Sequence, residues 1–148
     1  MKLKFTVLFF LFSTLLLIAE TVEYSSWIGM GPAEAYEAFG PPSHIYVHRG
    51  ESPEEDTVVF YREGLYLFWF ENRVWQVRAD RTSSAVLGGI RIGDTADRVT
   101  ALLGKALHSG IDGSQYYEIH RGAYPLRLRV LYGPDSTVDD LYLYRGDF

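Results

Sequence analysis

The sequence predicts an α+β fold of two tandem helix-plus-antiparallel-meander repeats. Two observations carry that prediction. Residues 28–40 (IGMGPAEAYEAFG) align without a gap on residues 92–104 (IGDTADRVTALLG), and His44 falls on His108 at the same offset. After each matched segment the hydrophobic period changes from helical to two, the period of a half-buried strand.

The first nineteen residues stand apart from this pattern. Lys2 and Lys4 form a short positive region, residues 5–19 are almost purely apolar, and Glu20 restores polarity, which is the layout of a secretory signal with cleavage after Ala19. The apolar run falls short of the roughly 20 residues a spanning helix needs, so no stable membrane span is expected after the signal is removed. The expected location is periplasmic or secreted.

Each matched segment reads as a short helix between glycines. Ala35, Ala38 and Phe39, like Val99, Leu102 and Leu103, fall at i, i+3, i+4 and give each helix one buried stripe. Pro32 suits the first position of the first helix, Asp94 is placed to cap the second with Asp97 in its first turn, and Gly40 and Gly104 suit the C-caps. The first meander is read as strands at 43–48, 56–62, 65–70 and 73–78, with tight turns at Glu63-Gly64 and Glu71-Asn72. The second is read as a short piece near Leu107, then 115–120, 124–132 and 138–144, with turns at Asp112-Gly113 and at 133–135. The expected organisation is a leader over 1–19, one repeat over 20–80, a linker over 81–89 and a second repeat over 90–148.

Composition narrows the function. With 47% hydrophobic residues the chain has too much apolar material for disorder, and a net charge of −5 leaves no basic excess for nucleic acid. Losing Lys2 and Lys4 with the leader takes that charge to −7. The absence of cysteine removes disulfide frameworks, thiol catalysis, Cys-ligated zinc and lipidation on an N-terminal cysteine. His44 and His48 have the spacing a helix uses for zinc, but in a strand they lie about 13 Å apart, so no metal site is expected. His108 and His120 read as ordinary strand or loop residues, and Glu51, Glu54, Glu55 and Asp56 around Pro53 as a solvated hairpin loop. Without a nucleophile elbow, phosphate loop or dinucleotide fingerprint, the sequence predicts no enzyme, no catalytic residue and no cofactor.

The Ile-Gly, short helix, Leu-Gly or Phe-Gly pattern, followed by a meander, resembles the β-lactamase-inhibitor-like superfamily. Gly29, Gly93, Val99, Leu103 and Gly104 carry the match. That superfamily includes the small outer-membrane assembly lipoproteins of the SmpA/OmlA type, which differ in having a lipidated cysteine and a single unit. The resemblance covers about residues 26–148. It implies one curved sheet with helices on one face, a partner protein gripped by the other, and a non-enzymatic role in the bacterial cell envelope.

Strand alternation independently nominates the free face. Leu126, Leu128, Val130, Leu141 and Leu143 share one side, leaving Arg127, Arg129, Tyr142 and Tyr144 on the other. In the first meander the same logic sends Leu65, Leu67, Trp69, Trp75 and Val77 inward, and Tyr66, Phe68, Phe70, Gln76 and Arg78 outward. Tyr, Phe and Arg anchor protein interfaces, so Tyr66, Phe68, Phe70, Arg78, Arg127, Arg129, Tyr142 and Tyr144 form the expected partner-binding set. The same residues are also good strand formers, whose cross-strand pairs stabilise a solvent-facing sheet by about 0.2–1 kcal/mol each. The alternative function is a small-ligand carrier or weak enzyme with a pocket between the repeats, lined by Trp27, Trp69 and Trp75. The oligomeric state and the identity of an envelope or secreted partner stay open.

Overall fold

The computed structural model describes residues 24–51, 57–119 and 124–147. The expected leader, the acidic residues at 54–56 and His120 lie outside them. After a short 3-10 turn, Tyr24–Trp27, the elements are α1 (Pro32–Phe39), β1 (His44–His48), β2 (Thr57–Arg62), β3 (Leu65–Phe70) and β4 (Arg73–Ala79). They continue with β5 (Val86–Leu87), β6 (Ile90–Arg91), α2 (Ala96–Leu103), β7 (His108–Ser109), β8 (Gln115–Ile119), β9 (Leu126–Tyr132) and β10 (Val138–Arg145). Among the described residues, eight of these strands form one antiparallel sheet in the order β1-β2-β3-β4-β10-β9-β8-β7.

This arrangement corrects the expected fold class. The protein is largely β, with one eight-stranded sheet and two eight-residue helices, and is not an α+β fold of two helix-plus-meander repeats. The capping signals that suggest helical units are real, but each helix fully buries one side chain, Ala35 in α1 and Val99 in α2. Two turns of helix with so little buried surface are straps on the sheet. The core is instead made by the strands: Leu67, Val77, Leu143 and Leu128 lie in register across β3, β4, β10 and β9, each at most 1% exposed.

Local chemistry accounts for the helix ends. In α1 the Gly31 N–H donates to Glu34 Oε2 at 2.7 Å, Pro32 occupies the first turn, and Gly40 closes the helix at φ 75° by donating its N–H to Tyr36 O. In α2 the cap is Thr95, whose hydroxyl accepts from the Arg98 N–H, not Asp94. Asp94 accepts from the Arg91 N–H at 2.9 Å and pairs with Arg98 at 3.0 Å.

Both expected hairpins are present. Glu63 and Gly64 sit at φ 49° and 76°, Glu71 and Asn72 at 47° and 58°, the paired positive φ values of type I′ turns that match strand twist. At Gly64 a Cβ would lie 2.5 Å from Thr82 Oγ1 and 2.7 Å from Ser83 N, so the position needs glycine for space as well as for φ. Gly64→Ala is therefore expected to cost about 1–3 kcal/mol in urea unfolding, whereas Asn72→Gly at the other turn costs under about 1.

Within the stretch read as a linker, residues 85–88 are buried. β5 and β6 form a separate two-stranded ribbon in which Ala85, Val86, Leu87 and Ile90 are 0–7% exposed. A second departure lies in β4, where the pairing with β3 passes from Phe68↔Gln76 to Trp69↔Val74 and skips Trp75. This bulge keeps Val74 and Val77 in the core and turns Trp75 out of it, against Phe68 at 6.3 Å between rings, which corrects the inward assignment of Trp75.

Candidate functional site

The face opposite the core carries one row of side chains that crosses all eight strands. In register it runs His44, Tyr61, Tyr66, Arg78, Tyr142, Arg129, Tyr116, His108. Neighbouring strands lie about 4.8 Å apart, so each group in the row reaches the next. His44 tilts against Tyr61 at 5.9 Å, Tyr61 against Tyr66 at 4.7 Å, and His108 stacks on Tyr116 at 4.3 Å. Between them, Arg78 lies 5.0 Å from the Tyr66 ring and 5.2 Å from Tyr142, and Arg129 lies 5.3 Å from Tyr142 and 5.8 Å from Tyr116. Tyr142 is thus held between two guanidinium groups, a cation–π arrangement on both sides.

Carboxylates hold the row in place. Arg78 donates from Nε to Asp140 Oδ1 at 3.0 Å and from Nη2 to Asp140 Oδ2 at 2.5 Å. Asp80 and Asp112 each divide their two oxygens between a turn and the row. Asp80 Oδ1 accepts from the Thr82 N–H and hydroxyl, while Oδ2 accepts from the Tyr66 hydroxyl at 2.9 Å. Asp112 Oδ1 accepts from the Ser114 N–H and hydroxyl, while Oδ2 accepts from Arg129. Both turns share the spacing Asp-x-Ser/Thr, as does Asp135 with Thr137.

The ionisation of these groups follows their partners. Burial and the hydrogen bond to Asp80 push the Tyr66 phenol up to about 12. Burial opposes ionisation of Asp80, but the bonds from Thr82 and Tyr66 outweigh it and hold the carboxyl below its usual range. The Ser114 hydroxyl and N–H, together with Arg129, lower Asp112 to about 2. Burial raises Tyr142 and Tyr144.

A pH dependence follows from Asp112. Its folded pKa lies below the ordinary 3.8, so the stabilisation it supplies is complete above that value and is lost as pH falls from about 4 toward 2. Acid titration of wild type by near-ultraviolet circular dichroism of tyrosine is expected to show a transition in that window. Asp112→Asn should flatten it.

The eight sequence-predicted residues all fall on this face, in different settings. Tyr66, Arg78, Arg129 and Tyr142 are in the row. Tyr144 and Arg127 belong to the next one, paired with each other and followed on the other side by Gln76, Phe68, Val59 and Tyr46. Phe68 is 8% exposed and Val59 0%, with the His48 ring edge-on to Phe68 at 6.2 Å, so Phe68 supports the surface from beneath. Phe70 lies at the far end of β3 opposite Arg73. Tyr61, Tyr116, His44 and His108 complete the row and are absent from the predicted set. Alternation counted from Phe60, which packs against the core, and from buried Tyr117 places Tyr61 and Tyr116 on the outer face.

The three tryptophans do not line one pocket: Trp27 and Trp69 are in the core and Trp75 lies on the outer face. A cleft of about 240 Å³ lies elsewhere, among Tyr24, Trp27, Phe39, Arg62, Leu65 and Ala85. Among the described residues no helix is long and apolar enough to cross a membrane.

No family model and no curated protein matches the chain. Solved structures do share its fold. A cysteine-rich secretory protein from Staphylococcus aureus aligns with TM-score 0.56 at 13% identity, over 86% of this chain and 50% of that one. An extracellular protein containing an SCP domain from Bacillus anthracis aligns with TM-score 0.57 at 12% identity, over 99% of this chain and 50% of that one. A DUF4309 family protein from Bacillus subtilis aligns more loosely, with TM-score 0.46 at 17% identity over 78% of each chain. This chain spans about half the length of the first two structures.

Proposed function

We propose that this protein is an exported, non-enzymatic binding protein of the bacterial cell envelope, periplasmic or secreted, that docks a protein partner on its aromatic and arginine sheet face. The observation that carries the reading is the eight-residue row, in which both arginines are already oriented by Asp140 and by Asp112 with Ser114. Side chains fixed before binding lose little entropy on docking, and Tyr and Arg are the residue types in which interface energy concentrates. The secretory-type leader at 1–19 supports export, as do structural neighbours described as secretory and extracellular.

The test compares wild type with the triple variant Arg129→Ala, Tyr142→Ala, Tyr144→Ala as bait in envelope extract. The triple variant is expected to lose its partner by tenfold or more while its circular dichroism keeps the sheet signal, since each lost cross-strand pair costs about 0.2–1 kcal/mol. Undiminished capture by the folded variant would contradict the reading.

A further inference from the structure

We propose that β1 is a self-association edge, which pairs antiparallel with β1 of a second copy about a two-fold axis at Tyr46 and joins the two sheets into one. This inference is independent of the docking face. β1 ends the sheet order, so among the described residues one side of its backbone has no strand partner, and all five of its residues are exposed. Ile45 is 61% exposed, Tyr46 43% and Val47 46%.

Natural sheets blunt such an edge with charge, proline, a bulge or brevity. β1 has none of these. Its sequence, His-Ile-Tyr-Val-His, contains no Asp, Glu, Lys or Arg and no proline, and its register with β2 runs unbroken from His44↔Tyr61 to His48↔Thr57. The opposite edge, β7, is two residues long. One long competent edge and one very short edge favour a closed pair over an open filament.

The occupant follows from the strand's own chemistry. His-Ile-Tyr-Val-His reads alike in both directions: histidine, aliphatic, tyrosine, aliphatic, histidine. Antiparallel pairing centred on Tyr46 sets Ile45 against the partner's Val47 on the core-side face, and His44 against the partner's His48 on the outer face. Every residue keeps its face, and a register shifted by one would break that match. Val58, 38% exposed and paired with Val47, widens the aliphatic seam. A second copy also meets no like charge at this strand, although the whole chain carries −5. A seam of one five-residue strand pair is small, so the dimer is weak, forming at roughly tens to hundreds of micromolar.

The absence of cysteine permits a direct test on the full chain. In Tyr46→Cys the two thiols face each other across the axis at Cα separations of about 4.5–5.5 Å, within disulfide reach, whereas in His44→Cys they stand about 13 Å apart. Under copper–phenanthroline oxidation, Tyr46→Cys is expected to give a covalent dimer and His44→Cys to give at least tenfold less. Sedimentation of the cysteine-free chain should show concentration-dependent dimer that Val47→Lys abolishes without changing the circular dichroism. Equal cross-linking at both positions, or dimer that survives Val47→Lys, would overturn the proposal. So would a monomer at all concentrations, whether the thiol introduced at position 46 alkylates freely or is shielded by the chain's own residues.

Discussion

Leu143→Ala is expected to lower the free energy of unfolding by about 2–5 kcal/mol, the range for deleting a fully buried leucine whose site cannot collapse. Leu143 lies on β10, where the two halves of the chain meet, opposite Val77 of β4 and Leu128 of β9, and all three are 0% exposed. Its neighbour Tyr142 points to the other face, between Arg78 and Arg129. Tyr142→Ala should cost about 1–2 kcal/mol, because it removes two cross-strand contacts but opens no cavity. Urea denaturation of the two variants measures the contrast. Equal losses would mean that β10 does not divide its residues between a core face and an outer face.

The second large effect belongs to Arg78. Its side chain is 31% exposed and that of Asp140 14%, so the pair is shielded from solvent by Tyr66 and Tyr142. Arg78→Ala removes three charge-assisted contacts and leaves the Asp140 carboxylate without its counter-ion, an expected loss of about 2–3 kcal/mol. Arg78→Lys should recover less than half of that, because an ammonium can neither reach both carboxylate oxygens in the same fork nor stack between two rings. Removing Asp140 as well should cost less than the sum of the single changes, with a coupling of about 1–3 kcal/mol in a double-mutant cycle. Additive losses would show that the contact is incidental.

These expectations rest on features with different visibility in the sequence. The faces of β9 and β10 are legible, since Leu126, Leu128, Val130, Leu141 and Leu143 alternate strictly with polar or aromatic residues and all five are buried. So are the I′ turns, the proline start of α1 and the glycine C-caps of both helices, where local chemistry decides, whereas the α2 cap is Thr95 and not the expected Asp94. The fold class is not, because matched capping signals say nothing about how much a helix buries. The inward reading of Trp75 fails because a bulge is set by pairing with β3, and no local signal in a run of apolar and aromatic residues marks it. The row itself depends on pairing between strands as distant in sequence as β4 and β10. Its central members are individually visible as Tyr and Arg on one side of their strands. Their contact order, and the histidines at its ends, come from register alone.

The most direct test of the docking face is site-specific photo-cross-linking in intact envelopes, with a benzophenone side chain at position 142 in one variant and at position 102 in another. Leu102 is 49% exposed on α2, away from the row, and so reports the helix side. A covalent adduct to another envelope protein from position 142, with none from position 102, is the result expected. Adducts from position 102 with none from 142 would contradict it.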